Sequence, residues 1–207
     1  VQSTVLCETL ASHGFVVAAP NHAGNTASDA FFGTGFPFAT TARNRPRDVS
    51  ALITKMIARS RDPGDRLYRV VNPFQIGVTG HSFGGFTALA MASGYAEVPA
   101  DPRVRAIMPI APAARLLSDA ELARITVPLL VLIGSEDSTT PAEPNARISF
   151  EQPASRRVYR ADIVGAEHNH FGSVCSISDV LFSYGSPESF VKSVVPGYEE
   201  TCGPGAY

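Results

Sequence analysis

Short apolar segments alternate with longer segments of helical spacing along this chain. The apolar segments, rich in Val, Ile, Leu and Phe, are 15–19, 74–78, 104–110, 127–133 and 156–164. Strands of a parallel sheet are buried on both faces and are joined by helices, so such alternation is typical of that architecture. The pattern therefore predicts an α/β fold in which helices cover a mostly parallel sheet of five strands.

Start and stop signals place the helices between those strands. Gly14 ends a first helix over Thr4–Ser12, and Ser118 with Glu121 forms a capping box that opens a short helix. A long loop is expected over 21–45, before a helix that begins at Pro46 or Arg47 and runs to about residue 60. The remaining helical segments are 86–91, 141–151 and one or two short helices near the C-terminus, interrupted at Pro187.

The composition predicts one folded domain over residues 1–207. Of the 207 residues, 44% are hydrophobic and 17% are charged, a balance that supports a packed core. The net charge is −2 and the basic residues are scattered, which argues against a nucleic-acid partner. No segment approaches the roughly 18 apolar residues of a membrane span.

The three cysteines do not indicate a metal site. Cys7, Cys175 and Cys202 fit no zinc-ligand spacing, and we expect neither a metal nor another cofactor. Cys175 and Cys202 lie in a stretch rich in Gly, Pro and Ser, where a disulfide would fasten the end of the chain. The alternative is two unrelated thiols. A bridge would indicate an oxidising compartment, secreted or periplasmic, while Cys7 is expected to be a small core residue.

The sequence Gly-His-Ser-Phe-Gly-Gly at 80–85 carries the first sign of chemistry. It follows the second predicted strand directly and precedes a helix, and a serine on such a strained turn is exposed as a nucleophile. The turn needs small residues two positions either side of Ser82, a need that Gly80 and Gly84 meet. The motif is short enough to arise by chance, but the flanking strand and helix favour a nucleophilic Ser82.

A serine nucleophile needs a base within hydrogen-bond reach and a third group that orients the base. In this type of turn the chain order is Ser, acid, His, and only His168 and His170 follow a strand after Ser82. His168 is favoured because Gly165 and Ala166 make a compact turn directly off the strand. His170 is the alternative.

The acid is expected where the fourth strand ends. Asp137 follows that strand in a polar segment, and Glu136 is the second candidate. A competing interpretation is that Asp137 only caps the helix that begins near Pro141. Of the other histidines, His81 is expected to be structural with its side chain directed away from Ser82, and His22 either lines the site or closes a loop.

With these residues assigned, the chain resembles the α/β-hydrolase superfamily, and within it the bacterial dienelactone hydrolase-like esterases related to platelet-activating-factor acetylhydrolases and polyester hydrolases. The resemblance extends over nearly all of the chain. It rests on four segments: 10–26, 45–49, the serine turn at 80–85 and 165–168. The chain differs from dienelactone hydrolases proper, which use cysteine where Ser82 stands, and from the acetylhydrolases, whose acid follows the strand after the serine turn.

The resemblance implies a Ser82-His168-Asp137 triad and an oxyanion pocket with two backbone N–H donors. Phe83 N–H would be one donor. The other belongs, in this superfamily, to a loop that precedes the first helix found here. Because losing one donor costs about 100- to 1,000-fold in turnover, we expect this span alone to be a poor enzyme, truncated at its N-terminal strands or completed by a separate N-terminal fragment.

The expected activity is carboxylic ester hydrolysis through an acyl-enzyme. Too few residues separate the third and fourth strands for a large lid, so the site is expected to be open and suited to short-chain or extended esters, small or polymeric. His22 and Phe36 are the expected substrate-binding residues, although the aromatic segment 31–38 is as well suited to core packing. The alternatives are a serine peptidase and a non-catalytic module of the same fold.

Overall fold

The computed structural model of the chain describes residues 3–195 and 197–202. Within these residues, four strands form one parallel sheet in the spatial order β1, β2, β3, β4. The strands are β1 (Ile76–His81), β2 (Val104–Ile110), β3 (Leu129–Gly134) and β4 (Val158–Ile163). Each connection contains helical structure, so the predicted α/β architecture is confirmed.

Helices occupy most of the remaining described chain. They are α1 (Thr4–Ser12), α2 (Ala27–Phe32), α3 (Phe38–Arg61), α4 (Phe83–Ser93), α5 (Asp119–Leu122), α6 (Arg147–Glu151), α7 (Val174–Ser183), α8 (Glu188–Val194) and α9 (Tyr198–Cys202). Two 3₁₀ turns at Ala114–Leu116 and His168–Phe171, and an irregular turn at Ala142–Ala146, complete the set. The predicted capping box that opens α5 is present, with Ser118 and Glu121 bonded to each other's backbone N–H.

The core lies between the sheet and α4. Phe86 and Leu89 of α4 are fully buried, as are Leu129 and Val131 of β3. The apolar face of α3 packs on the same cluster through Ile53. Since α4 follows Ser82 directly, burying this helix fixes where the serine turn stands relative to the sheet.

One predicted strand is wrong. Residues 15–19 form no ladder with any described strand, and β1 is paired on one side only, with β2. An isolated strand has no partner for its backbone groups, and the apolar side chains here are accordingly exposed, Phe15 by 63%. The described part of the chain therefore has four strands, not five. The start of β1 also differs from the prediction, because Asn72 accepts hydrogen bonds from Phe74 N and Gln75 N in a turn.

The predicted loop over 21–45 is also wrong in part. It contains α2, which Thr26 caps, and the first two turns of α3. Pro46 was expected at the start of a helix but lies inside α3 and is buried. A proline in a helix removes one backbone hydrogen bond, and here the surrounding helix and its buried contacts outweigh that local cost.

The C-terminal part of the described chain is fastened by a disulfide. Cys175 in α7 and Cys202 in α9 form a disulfide. The predicted bridge is therefore present, and the alternative of two unrelated thiols is wrong. Val174, Val191 and Val195 make a small core between α7 and α8. Cys7 is a free and only half-buried thiol, so its expected place in the core is wrong. None of the helices in residues 3–195 and 197–202 is long and apolar enough to cross a bilayer.

Candidate active site

Ser82 lies in a sharp turn between β1 and α4. Its backbone has φ 57° and ψ −115°, a conformation that costs a residue with a Cβ about 1–3 kcal/mol. A Cβ at Gly80 would lie 2.7 Å from the backbone of Gly84, and one at Gly85 would lie 2.8 Å from Pro112. The close approaches that require glycine are thus at Gly80 and Gly85, whereas a Cβ at Gly84 would have ordinary space.

Backbone hydrogen bonds fix this turn to the carboxyl end of β2. Ser82 N donates to Ile110 O at 2.9 Å, and Ser82 O accepts from Phe86 N at 3.1 Å and from Ala113 N at 3.3 Å. The two ends of the serine's backbone are therefore held by different elements. Such support explains how the strained conformation persists.

Asp137 and His168 form a buried pair. Asp137 follows β3 and His168 follows β4, and His168 Nδ1 lies 2.7 Å from Asp137 Oδ2. The side chain of Asp137 is 1% exposed and that of His168 is 8% exposed. Burial by itself would raise the pKa of Asp137, but hydrogen bonds from His168 and Thr140 outweigh it and hold that pKa below its usual range. Asp137 is therefore ionised at neutral pH and keeps His168 in the Nδ1–H tautomer.

The two carboxylate oxygens of Asp137 make different contacts. Its Oδ1 accepts from Thr139 N at 2.8 Å and from Thr140 N at 2.7 Å, which is a turn-capping role. Its Oδ2 faces His168 and also accepts from Thr140 Oγ1 at 2.8 Å. The capping bonds orient the carboxylate so that one oxygen is left for the imidazole.

Thr140 connects this pair to the end of β2. Its Oγ1 lies 3.0 Å from Ala111 O, 2.8 Å from Asp137 Oδ2 and 3.1 Å from His168 Nδ1. The hydroxyl donates to one of the two oxygens and accepts a share of the His168 Nδ1–H bond. Thr140 was not singled out from the sequence, although it stands three residues after Asp137, where turn-forming hydroxyls are common.

The alternative residues occupy other positions. Glu136 is exposed, and its backbone N–H donates to Ala166 O. His170 Nδ1 accepts from Glu167 N at 3.0 Å in the turn that follows β4. The structure thus pairs Asp137 with His168 and leaves Glu136 and His170 out of that pair.

His81 lies beside His168. The two ring centroids are 4.5 Å apart, and His81 Nε2 lies 2.7 Å from His168 O. A carbonyl oxygen only accepts, so His81 Nε2 carries a proton and donates it. Burial, with a further contribution from His168, lowers the pKa of His81. Because His81 precedes Ser82, this contact brings the turn after β4 against the serine turn. Ser82 Oγ makes no hydrogen bond with another described residue.

Phe83 follows Ser82 and begins α4. Its N–H is the first of the helix and has no acceptor within residues 3–195 and 197–202, as expected for the open donors of a helix start. The ring of Phe83 stacks with the rings of Phe38 and Phe86, whose centroids lie 5.2 and 5.3 Å from its own. A backbone donor next to Ser82 is thus held on a rigid aromatic stack.

The two expected substrate-binding residues have different surroundings. His22 Nδ1 lies 2.7 Å from Asp48 Oδ2, and burial lowers the pKa of His22 despite that carboxylate. Phe36 covers Gly24, where a Cβ would lie 2.2 Å from the ring. The alternative prediction that the aromatic segment packs in the core is wrong for Phe31 and Phe32, which lie on α2 and are 84% and 72% exposed.

No group of three or more His, Cys, Asp or Glu side chains within the described residues is placed to hold a metal ion. The parallel sheet covered by helices, with the serine turn directly after β1, has the architecture of the α/β-hydrolase fold. The family model PETase, described as PET hydrolase-like, matches residues 2–182, and the chain belongs to that family. Membership assigns it to hydrolases that act on esters. No curated protein matches the chain.

Proposed function

We propose that the chain hydrolyses carboxylic esters with Ser82 as nucleophile, His168 as general base and Asp137 as the acid that orients it. One observation carries the proposal. The buried Asp137–His168 pair, 2.7 Å between Nδ1 and Oδ2, lies against a strained serine turn at the same edge of the sheet. Structural serines have no need of such strain, which is typical of functional sites.

The reaction proceeds in two halves. His168 Nε2 takes the proton of Ser82 Oγ as the oxygen attacks the ester carbonyl carbon, and the imidazolium then gives that proton to the leaving alcohol. A water molecule enters and loses a proton to His168 as it attacks the acyl carbon. The carboxylic acid product leaves, and the proton returns from His168 to Ser82 Oγ. Ionised Asp137 stabilises the imidazolium in both halves.

The developing negative charge on the carbonyl oxygen needs a donor near Ser82. We assign Phe83 N–H to this role, because it is the residue after the nucleophile and begins α4, whose N-terminus favours negative charge. The lack of an intramolecular acceptor within the described residues supports the assignment.

The substrates we propose are short-chain or extended esters, including polyesters. Only one 3₁₀ turn and the four-residue helix α5 separate β2 from β3, which is little material for a lid. The exposed Phe31 and Phe32 are suited to an apolar substrate surface, and the family description supports a polyester. His22 and Phe36 are proposed to line the site. The bridge between Cys175 and Cys202 supports a secreted or periplasmic location.

The test combines turnover with labelling. Wild-type chain, Ser82→Ala and the control Ser176→Ala, which changes an exposed serine of α7, are assayed on nitrophenyl esters of increasing acyl length and on a polyester film. We expect Ser82→Ala alone to lose activity and to lose reaction with a fluorophosphonate probe, whose adduct maps to Ser82. Activity retained in Ser82→Ala would refute the proposal. Cleavage of peptides but not esters would indicate a serine peptidase. Failure of the fluorophosphonate probe to label Ser82 in the wild type would indicate a non-catalytic module.

A further inference from the structure

The peptide unit between His168 and Asn169 is held from both sides by ionisable side chains. Its carbonyl, His168 O, accepts from His81 Nε2 at 2.7 Å. Its N–H, Asn169 N, donates to Glu200 Oε1 at 2.8 Å. His81 comes from the end of β1 and Glu200 from α9, so two distant parts of the chain meet at the peptide that follows the proposed base.

Glu200 contacts Asn169 twice. Besides the backbone bond, Asn169 Nδ2 donates to Glu200 Oε2 at 2.8 Å. Gly197 completes the contact, because a Cβ there would lie 2.4 Å from Asn169 Nδ2. Hydrogen bonds to an ionised carboxylate are stronger than those between neutral groups. The two bonds fix both the peptide plane and the side chain of Asn169.

The position of α9 is itself constrained. Cys202, two residues beyond Glu200, is bridged to Cys175 in α7. Cys175 lies soon after the 3₁₀ turn that carries His168 and Asn169. The disulfide therefore keeps Glu200 close to the turn whose peptide it binds.

We propose that His81 and Glu200 act as positioning residues that set the placement of the His168 imidazole relative to Ser82. We call these two side chains the peptide clamp. The inference rests on the proposed function of His168 as base. Asp137 fixes the ring's tautomer and one hydrogen bond, but it leaves the backbone of His168 undefined, and the peptide clamp supplies that definition.

Neutral His81 is the form that suits this role. Its ring lies against the ring of His168, which becomes positive during the reaction, and a second positive charge there would oppose that step. Burial and the charge of His168 together lower the pKa of His81, although the hydrogen bond to His168 O and the carboxylates Asp137 and Glu200 act in the opposite direction. Neutral His81 still donates through Nε2–H, so the clamp does not require a charge at that position.

Kinetics of matched variants test the clamp. Glu200→Ala removes both bonds to Asn169, and the control Glu199→Ala changes the neighbouring glutamate, whose side chain is 74% exposed and pairs with Lys192. We expect kcat on a nitrophenyl butyrate ester to fall about tenfold in Glu200→Ala with KM unchanged, because small misplacements of reacting groups are costly. A kcat equal to that of the control would overturn the proposal.

Two variants of His81 separate the hydrogen bond from packing. His81→Phe keeps a ring against His168 and removes the donor, whereas His81→Gln keeps a side-chain N–H that reaches His168 O. We expect the Phe variant to lose kcat and the Gln variant to recover most of it. A Phe variant as active as the Gln variant, or more active, would show that the hydrogen bond to His168 O is not needed and would contradict the clamp. In the double variant His81→Phe with Glu200→Ala, the fold-loss in kcat should be smaller than the product of the two single-variant losses, because both side chains hold the same peptide.

A spectroscopic readout distinguishes failure of the clamp from failure of the proposed function. The proton on His168 Nδ1, bonded to Asp137, gives a low-field NMR resonance that needs no turnover. We expect this resonance to shift or broaden in Glu200→Ala and in His81→Phe, and to be unchanged in Glu199→Ala. If the wild-type chain shows the resonance but has no esterase activity, the proposed function is refuted. The resonances of the variants still show whether His81 and Glu200 position the imidazole of His168. An unchanged resonance in folded Glu200→Ala overturns it.

Discussion

The guanidinium of Arg45 lies over the ring of Phe83, with Cζ 4.7 Å from the ring centroid. Its Nε donates to Thr87 Oγ1 at 2.9 Å and its Nη1 to Asn25 Oδ1 at 2.7 Å. Burial lowers the pKa of Arg45 to about 10, although Asp48 opposes the shift. A cation is thus stacked on the residue that begins α4 and bonded to the next turn of that helix. It ties α3 and the loop before α2 to the serine turn.

Arg45→Met should lower the free energy of unfolding by about 2 kcal/mol, because hydrogen bonds that involve a charged group contribute about 1.5–3 kcal/mol. Urea unfolding measures the change. Arg47→Met is the matched control, since Arg47 is half exposed and pairs on the surface with Glu97, a contact that contributes about 0–1 kcal/mol. Equal losses in the two variants would contradict the role assigned to Arg45.

Gly80→Ala should destabilise the fold by about 3 kcal/mol, because the new methyl group would meet the backbone of Gly84 and overpacking costs about 1–3 kcal/mol or more. Gly77→Ala, in the same strand, is the control, since its Cβ would have ordinary contact at 3.8 Å from Ala106 O. Thermal unfolding compares the two. A Gly80→Ala variant as stable as Gly77→Ala would show that the turn after β1 is wider than described.

Thr140→Val should lower kcat by about tenfold with little change in KM, because the hydroxyl that fixes Asp137 and His168 to Ala111 O is replaced by a methyl group that cannot bond. Thr139→Val is the control, because Thr139 is exposed and only its backbone N–H bonds to Asp137. Ester hydrolysis under saturating substrate gives the answer. A Thr140→Val enzyme with full kcat would remove Thr140 from the positioning of the pair.

Stability should fall as the pH decreases below about 6.5, the usual pKa of histidine in an unfolded chain. Burial lowers the pKa of both His22 and His81 in the folded state. The unfolded chain therefore binds protons more readily, and their contribution, complete above the unfolded pKa, is lost as the pH falls towards the folded pKa. Urea unfolding at pH 7.5 and 5.5, chosen on either side of about 6.5, measures the slope.

His22→Gln should reduce that slope relative to the wild type. A slope that is the same in the wild type and in His22→Gln would exclude His22 as a source of the pH dependence. An increase in stability on acidification through this range would contradict the prediction for both histidines.

Removing the disulfide should destabilise the C-terminal helices. Cys175 and Cys202 are 27 residues apart, and closing a loop of this order contributes about 3 kcal/mol. The double variant Cys175→Ser with Cys202→Ser should unfold at lower urea concentration, and reductant should affect the wild type but not the double variant. Cys7→Ser, at the free thiol, is the control. Unchanged stability in the double variant would contradict the prediction.

The local part of this fold could be predicted from the sequence. β2 has the predicted bounds, 104–110, and α1 has the predicted bounds, 4–12, because apolar spacing and the Gly14 stop are local signals. The strand over 15–19 could not be rejected in this way, since pairing depends on a neighbour elsewhere in the chain. Pro46 misled the prediction of where α3 begins, because its burial inside the helix outweighed the preference of proline for the first turn of a helix.

The candidate site likewise contains some residues that the sequence predicts and some contacts that it does not. Ser82, Asp137 and His168 follow β1, β3 and β4, and chain order together with the predicted strand ends brought them into one hypothesis. The bonds of Thr140 with Ala111 and of Glu200 with Asn169 join residues about 30 positions apart. No local pattern signals such contacts, because each depends on how separate turns pack against one another.

The uniform direction of the four strands has a practical consequence for attaching the protein to a support. The segments that lead into the strands lie at the edge of the sheet opposite Ser82, and a six-residue strand such as β4 separates the two edges by about 20 Å. Arg156 is exposed just before β4. A tether fixed at Arg156 would present the serine turn outward, towards a solid ester surface, while the attachment chemistry stays on the far side of the sheet.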